Sequence, residues 1–291
     1  MHCPNCNSLA IVKFGFYKSR GADEKKIQRY RCKGCKRTFS DQTDALTFGE
    51  HKPLATQSVM QLLMCGVSQR RCAKVLKLHP ITVARKLCRL GMRAIQHNLA
   101  AGPLAQTTTV LFDEMETFEH SKCKPVSIPI AVEEGTRKIL AIDAVSMPAK
   151  GKLSKIARRR YGRRANHRRR GLLDLLARVR EVAPALTRLK SDKCPQYPRL
   201  VTKVFNSAVA HETHKGRRGC VVGQGELKRG GFDPLFSLNH TCAMIRDNIK
   251  RMSRRTWTTT KRIDRLKYLL SIYAWIHNQL LGGADWGVQM A

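Results

Sequence analysis

The stretch Thr108-Thr109-Val110-Leu111-Phe112-Asp113 decides the reading of the fold, because a β-branched apolar run stops there on a carboxylate. Val126–Val132 and Ile139–Val145 repeat the apolar part, with the turn signals Lys124-Pro125 and Glu134-Gly135 between them, so three consecutive strands are expected. Further on, Leu172–Val182 has helical spacing, and Leu186–Lys190 leads as a short strand into Ser191-Asp192. Another strand is expected around Ala208–Thr213, and amphipathic helices at Leu238–Ser253 and Ile263–Leu280. An α/β region results. An Asp set into a buried strand is costly unless it is paired or faces a metal. Asp113 and Asp192 are the two such residues.

Two strand-borne aspartates separated by a three-stranded meander and a helix fit a ribonuclease H-like mixed sheet, whose adjacent strands bring the carboxylates together. Hard oxygen ligands suit Mg²⁺, and two ions about 4 Å apart can activate a water and stabilise the leaving oxygen of a phosphodiester. The simpler alternative is that either Asp caps a turn.

Composition points to the substrate class. The 291 residues carry 55 Lys+Arg against 21 Asp+Glu, a formal charge of +34. Such an excess repels itself in the folded chain and is tolerated where a polyanion neutralises it, which makes nucleic acid the leading partner. No run of about 18 apolar residues exists, and the first residues lack the apolar segment of a signal peptide, so no membrane partner is expected. A cytoplasmic, nucleoid-associated protein is the expectation. At 42% hydrophobic residues the chain is too apolar for a disordered basic tail.

Eleven cysteines in a reducing compartment are read for metal rather than for disulfides. Cys3-x2-Cys6 and Cys32-x2-Cys35 are two knuckles, each a tight turn that presents two thiolates to one tetrahedral ion. Phe14, Phe16, Tyr17, Ile27 and Tyr30 supply strand residues between them, so residues 1–45 are expected to form a zinc ribbon around one structural Zn²⁺. Four thiols packed without metal is the alternative. Cys65, Cys72 and Cys88 are expected as small core residues, and His211, His214 and Cys220 fall short of a second site.

From His51 to Phe112 there is no acid. Residues 46–103 are expected to be a helix-turn-helix: Ser58–Met64, a break at Gly66, a second helix capped by Ser68, and a third opening at Pro80 and running over Ile81–Leu90. Thr82, Arg85, Lys86 and Arg89 would then face a DNA major groove. A plain three-helix packing unit is the alternative. Arg158–Arg170 holds eight arginines in 13 positions and is expected as a solvated loop. Its Arg158, Arg159, Arg160, Arg163 and Arg164, with Arg246, Lys250 and Arg254 later, are expected to contact phosphates. Trp257 could stack or pack.

These pieces together resemble the insertion-sequence transposases, especially the insertion sequence one family and relatives with an N-terminal zinc ribbon. The resemblance rests on Cys3-Pro4-Asn5-Cys6, on Arg29 through Phe39, on Val67–Leu87, on Asp113-Glu114-Met115, on Lys190-Ser191-Asp192 and on Ile245 through Thr256. It spans nearly the whole chain in the family's order. It implies a DDE-type transposase that binds double-stranded DNA, as a homo-oligomer on element ends and target, with residues 104–285 as the catalytic domain. Asp113 matches the first acid and Asp192 the second. The third, a Glu seven residues before the position of Arg246, falls on Asn239, which offers a carbonyl oxygen to Mg²⁺ but no charge. His240, Asp247 and Glu226 are the other candidates for that place, and a helix N-cap is the simpler role for Asn239. A catalytically inactive, transposase-derived DNA-binding protein or repressor is the alternative function.

Overall fold

The computed structural model describes residues 1–18, 26–43, 47–102, 104, 106–215, 233–253 and 256–283. At the N-terminus, β1 (Ile11–Lys18), β2 (Lys26–Cys32) and β3 (Thr38–Ser40) form an antiparallel sheet in that order. A register shift between Lys13 and Phe16 is absorbed at Gly15, whose φ of +73° suits a residue without a Cβ. Among the described residues the core cluster here is Cys3, Cys32 and Phe39, flanked by Ile11, Tyr30 and Cys35, with Ile27 buried apart from it. So small a core cannot offset the entropy of ordering three strands without a further tie.

Next come three helices, α1 (Ala55–Met64), α2 (Gln69–Val75) and α3 (Pro80–Ala100). Gly66 breaks the chain at φ +74°, the Ser68 hydroxyl accepts the Arg71 N–H at 3.4 Å, and Pro80 sits in the first turn of α3. Those signals act as the sequence predicts. The third helix, however, continues ten residues beyond Leu90. Its apolar stripe runs on through Ala94 and is buried against the last helix, α8 (Ile263–Leu281). At Gly91 a Cβ would stand 2.2 Å from the Cβ of Tyr268, so only glycine permits this crossing.

The large sheet contains β4 (Thr109–Phe118), β5 (Pro125–Glu133), β6 (Ile139–Ile142), β7 (Val145–Ser146), β8 (Arg188–Asp192) and β9 (Ala210–His214). Its order is β6-β5-β4-β8-β9, with β7 also beside β5. β4 to β7 pair antiparallel, whereas β8 runs parallel to β4 and β9 parallel to β8. β4 does not stop at Phe112 as expected but continues to Phe118, because Met115, Thr117 and Phe118 bury in turn. Asp113 therefore lies within a strand.

Val110, Phe112 and Leu189 cover one face with α5 (Arg168–Val182) and α6 (Tyr197–Phe205). α6 has no counterpart in the sequence reading, although Pro198 in its first turn and the buried stripe Leu200, Val201, Val204 and Phe205 mark it. Leu111, Met115, Ile128 and Ile130 pack the other face against α7 (Phe236–Asn248), α8 and the three N-terminal helices. One apolar core thus joins the helical unit to the sheet. The arginine-rich run is more ordered than expected: α4 (Leu153–Tyr161) takes its beginning and α5 its end.

Candidate metal centres and nucleic-acid interface

The two cysteine knuckles converge. The Sγ atoms of Cys3 and Cys35 lie 3.6 Å apart, those of Cys6 and Cys32 3.5 Å apart, and all four fall within 4.8 Å of one another. A tetrahedral ion with Zn–S bonds of about 2.3 Å sets its sulfurs about 3.8 Å apart, so these thiols fit one Zn²⁺. Backbone N–H groups aim at the sulfurs: that of Arg37 brings Cys35 down to about 6, and that of Cys35 lowers Cys32. Thiolates held in this way at Cys32 and Cys35 are prepared for a cation, whereas Cys6, despite the Ser8 N–H, is pushed up to about 11 by the Cys32 thiol and by burial. This is the one group of at least three Cys, His, Asp or Glu ligands that converges among the described residues. His211 instead meets the Ser191 hydroxyl at 2.9 Å, and Cys220 lies outside the described residues. Of the expected core cysteines, Cys72 is buried but Cys65 is exposed, because it falls at the C-cap of α1 rather than on its inner face.

The aspartates lie on adjacent strands. In the parallel β4–β8 pair Leu111 stands opposite Lys190, and two residues further along each strand come Asp113 and Asp192. Burial pushes the Asp113 carboxyl up to about 6; the charge of Asp192 adds to this, while hydrogen bonds from the Glu114 N–H at 2.6 Å and the Tyr197 hydroxyl at 2.9 Å oppose it. Burial, followed by the charges of Asp113 and Glu114, raises Tyr197, so its phenol keeps its proton and donates it. Asp192 is fixed by the Cys194 N–H at 2.9 Å.

The neighbouring Glu114 has a different fate. Arg168 grips both of its oxygens through Nε, at 2.9 and 2.7 Å, and Ser127 donates to it as well. The Arg168–Glu114 pair is therefore internal, neutral and structural. Composition could not reveal which of the two adjacent acids is neutralised within the chain.

Asn239 lies exposed on the first turns of α7, and its amide donates to Asp233 Oδ2 at 2.9 Å. One turn further along the helix, burial and then the charge of Asp113 push Cys242 up to about 12, and α7 packs against β4, the strand that carries Asp113. His240 turns aside to the Arg137 guanidinium at 2.9 Å. Asp247 is exposed near the other end of α7, where its carbonyl faces Gly66 of the helical unit. Glu226 lies outside the described residues. Asp233, which the sequence reading did not weigh, is the acid nearest to hand for Asn239; no spacing signal marks it.

The basic surface is partly as expected. Arg85 and Arg89 are exposed on α3, with Thr82 half-buried beside them, and Arg158, Arg159, Arg160, Arg163, Arg246 and Lys250 are exposed as well. Lys86 is a correction. It is 2% exposed, its Nζ 2.6 Å from Glu50 Oε2 and 2.6 Å from the Thr56 hydroxyl, so it cannot reach a groove. The acid that claims it stands one residue outside the acid-free zone. Arg164 is likewise drawn inward, donating to Glu119 at 3.0 Å. Arg254 lies outside the described residues. Among the described residues no helix is long and apolar enough to cross a membrane.

Comparison with known proteins adds a limited relationship. The chain matches no family model. Over 55 residues it is 38% identical to an uncharacterized protein in transposable element ISH50 of Halobacterium salinarum. Its sequence is similar, over that stretch, to a transposable-element protein. The match takes in 19% of this chain and 16% of that relative's length. Among solved structures, the simian T-cell lymphotropic virus intasome in complex with PP2A regulatory subunit B56 gamma aligns with a TM-score of 0.30 at 12% identity. That alignment spans 76% of this chain and 64% of the other, at a likeness too low to define a shared fold.

Proposed function

We propose that the chain is a DNA transposase with a ribonuclease H-like catalytic domain, cutting element ends and joining them to target DNA. The observation that carries this reading is that Asp113 and Asp192 stand on neighbouring parallel strands, each two residues past the paired Leu111 and Lys190, in a chain of charge +34. The donor types suit a hard divalent cation: two carboxylates on adjacent strands, with the amide oxygen of Asn239 on α7 as the third. Asp113, Asp192 and Asn239 would hold Mg²⁺, which supplies an activated water and neutralises charge on the leaving oxygen. Tyr197 orients Asp113 by donating to it, and Arg168 cancels the charge of Glu114 so that one fewer carboxylate repels the phosphates. Arg246 and Lys250, further along α7 and just past it, hold the DNA backbone, while the ribbon and the exposed side of α3 recognise the end. Hydrolysis of one phosphodiester leaves a 3′-hydroxyl, which then attacks a target phosphodiester in line and expels the target's own 3′-oxygen. Joining two ends calls for a homo-oligomer on DNA.

The test is Mg²⁺-dependent nicking of DNA carrying the ends of the element that encodes the chain. Asp113→Asn should cut cleavage by at least about 10³-fold, several kcal/mol of lost charge stabilisation, while end binding stays within about two-fold. Cleavage retained by Asp113→Asn removes the pair from catalysis. A second reading draws on Asn239, which is uncharged and bonded to Asp233: a transposase-derived protein that binds the same ends without cutting. Tight end binding by the wild-type chain with no nicking at any Mg²⁺ concentration selects it.

A further inference from the structure

Trp257 is 77% exposed, the most exposed aromatic side chain among the described residues, whereas Trp275 is only 5% exposed. It does not pack. It lines a cleft of about 590 Å³ between α2 and the segment joining α7 to α8, together with Arg70, Arg71, Lys250, Arg251 and Lys261. No Asp or Glu is among the described residues of that lining. Arg70, Arg71, Lys250 and Lys261 are all exposed, and none has an acidic partner among the described residues. Arg251 is fixed differently, donating from Nη1 to the Thr259 carbonyl at 3.1 Å. The cleft is roomy enough for a nucleoside and lies within the usual range of about 300–1,000 Å³ for ligand sites.

An indole face set among unpaired cations is the arrangement that binds single-stranded nucleic acid: the ring stacks a base and the cations hold its flanking phosphates. Duplex DNA keeps its base faces covered by their neighbours, so a ring of this kind gains little from an intact helix and most from a base already out of the stack. We infer that this cleft is a binding site for an unpaired DNA base, stacked on Trp257 with its adjoining phosphates on Arg70, Arg71, Lys250 and Lys261. The inference rests on the transposase reading and deepens it, since a nick in one strand at an end lets the bases beside it leave the stack. The cleft joins two elements distant in sequence, the second helix of the recognition unit and the segment after α7, so a base held there ties end recognition to the catalytic domain.

The experiment uses the full chain and two fluorescent probes of the same duplex sequence, one blunt and one carrying a single-stranded oligothymidylate tail. The wild-type chain should prefer the tailed probe. Trp257→Ala should remove that preference, weakening tailed binding by about five- to 150-fold, the equivalent of about 1–3 kcal/mol per stacked base, with blunt binding within two-fold. Trp257→Phe should restore most of it, because a smaller ring still stacks. Since the side chain is exposed, unchanged thermal unfolding of both variants serves as the folding control. Equal losses on both probes, or no loss on the tailed one, overturn the inference and leave the transposase reading intact. A wild-type chain that binds neither probe overturns both.

Discussion

The ribbon and the aspartate pair are both candidate metal sites, and they differ in how complete the chain makes them. The ribbon gathers four soft ligands within 4.8 Å, with backbone N–H groups already aimed at the sulfurs. The sheet offers two hard ligands on adjacent strands and, from α7, an amide that is engaged by Asp233. The difference teaches what each ion is for. A structural ion is enclosed and substitutes for a missing core, whereas a catalytic ion needs open positions that the substrate fills. On the proposed reading, one site is finished by folding and the other by its substrate.

The comparison breaks most forcefully at Cys32. Replacing Cys32 by Ser should abolish zinc binding and, with it, much of the roughly 10–16 kcal/mol that a structural zinc contributes to such a unit. Atomic emission should then read less than one zinc per chain, and limited proteolysis should cut within the first 43 residues while the sheet domain survives. If the ribbon of Cys32→Ser resists protease, it does not depend on metal, and the contrast between the two sites is lost.

A smaller effect sharpens the aspartate side. Asp113 holds its proton to about pH 6 in the folded chain, against about 3.9 when unfolded. The folded state therefore binds the extra proton between these values. Its stabilising contribution is complete below about pH 4 and is lost as pH rises through 6, on the order of 2–3 kcal/mol in all. Thermal unfolding without added Mg²⁺ should follow this slope, and Asp113→Asn should flatten it. A slope unchanged in the variant would assign the effect to another group.

The smallest expected change decides the third ligand. Asn239→Glu should strengthen Mg²⁺ binding by about ten-fold, because each added carboxylate raises the charge of the ligand set. Calorimetric titration of both chains with MgCl₂ reads this directly, and equal affinities would detach Asn239 from the site.

Much of this architecture is legible in the sequence because its signals are local. Two CxxC spacings point to the cluster of four thiols directly, since each knuckle needs only four residues to place its sulfurs. Gly66, Ser68 and Pro80 likewise mark helix ends by the chemistry of one residue each. Where the outcome depends on partners far along the chain, the sequence is mute. Lys86 sits on what reads as a DNA-facing stripe, yet Glu50, 36 residues earlier, takes it into the interior. Asp113 and Glu114 are adjacent acids in one strand, and only the arrival of Arg168, 54 residues beyond Glu114, separates a neutralised side chain from one that still lacks a counter-charge. The extension of α3 past Leu90 depends on α8, whose stripe begins more than 170 residues later.

Gly91 carries a consequence of its own. By letting α3 lie directly on Tyr268, it joins the helical unit to the body of the sheet through one shared core. On the proposed reading, a protein built in this way would work as a ruler: the base pairs it grips and the phosphodiester it cuts would stand at a set spacing along the duplex, and half a helical turn inserted between them would bring the wrong strand to the blade.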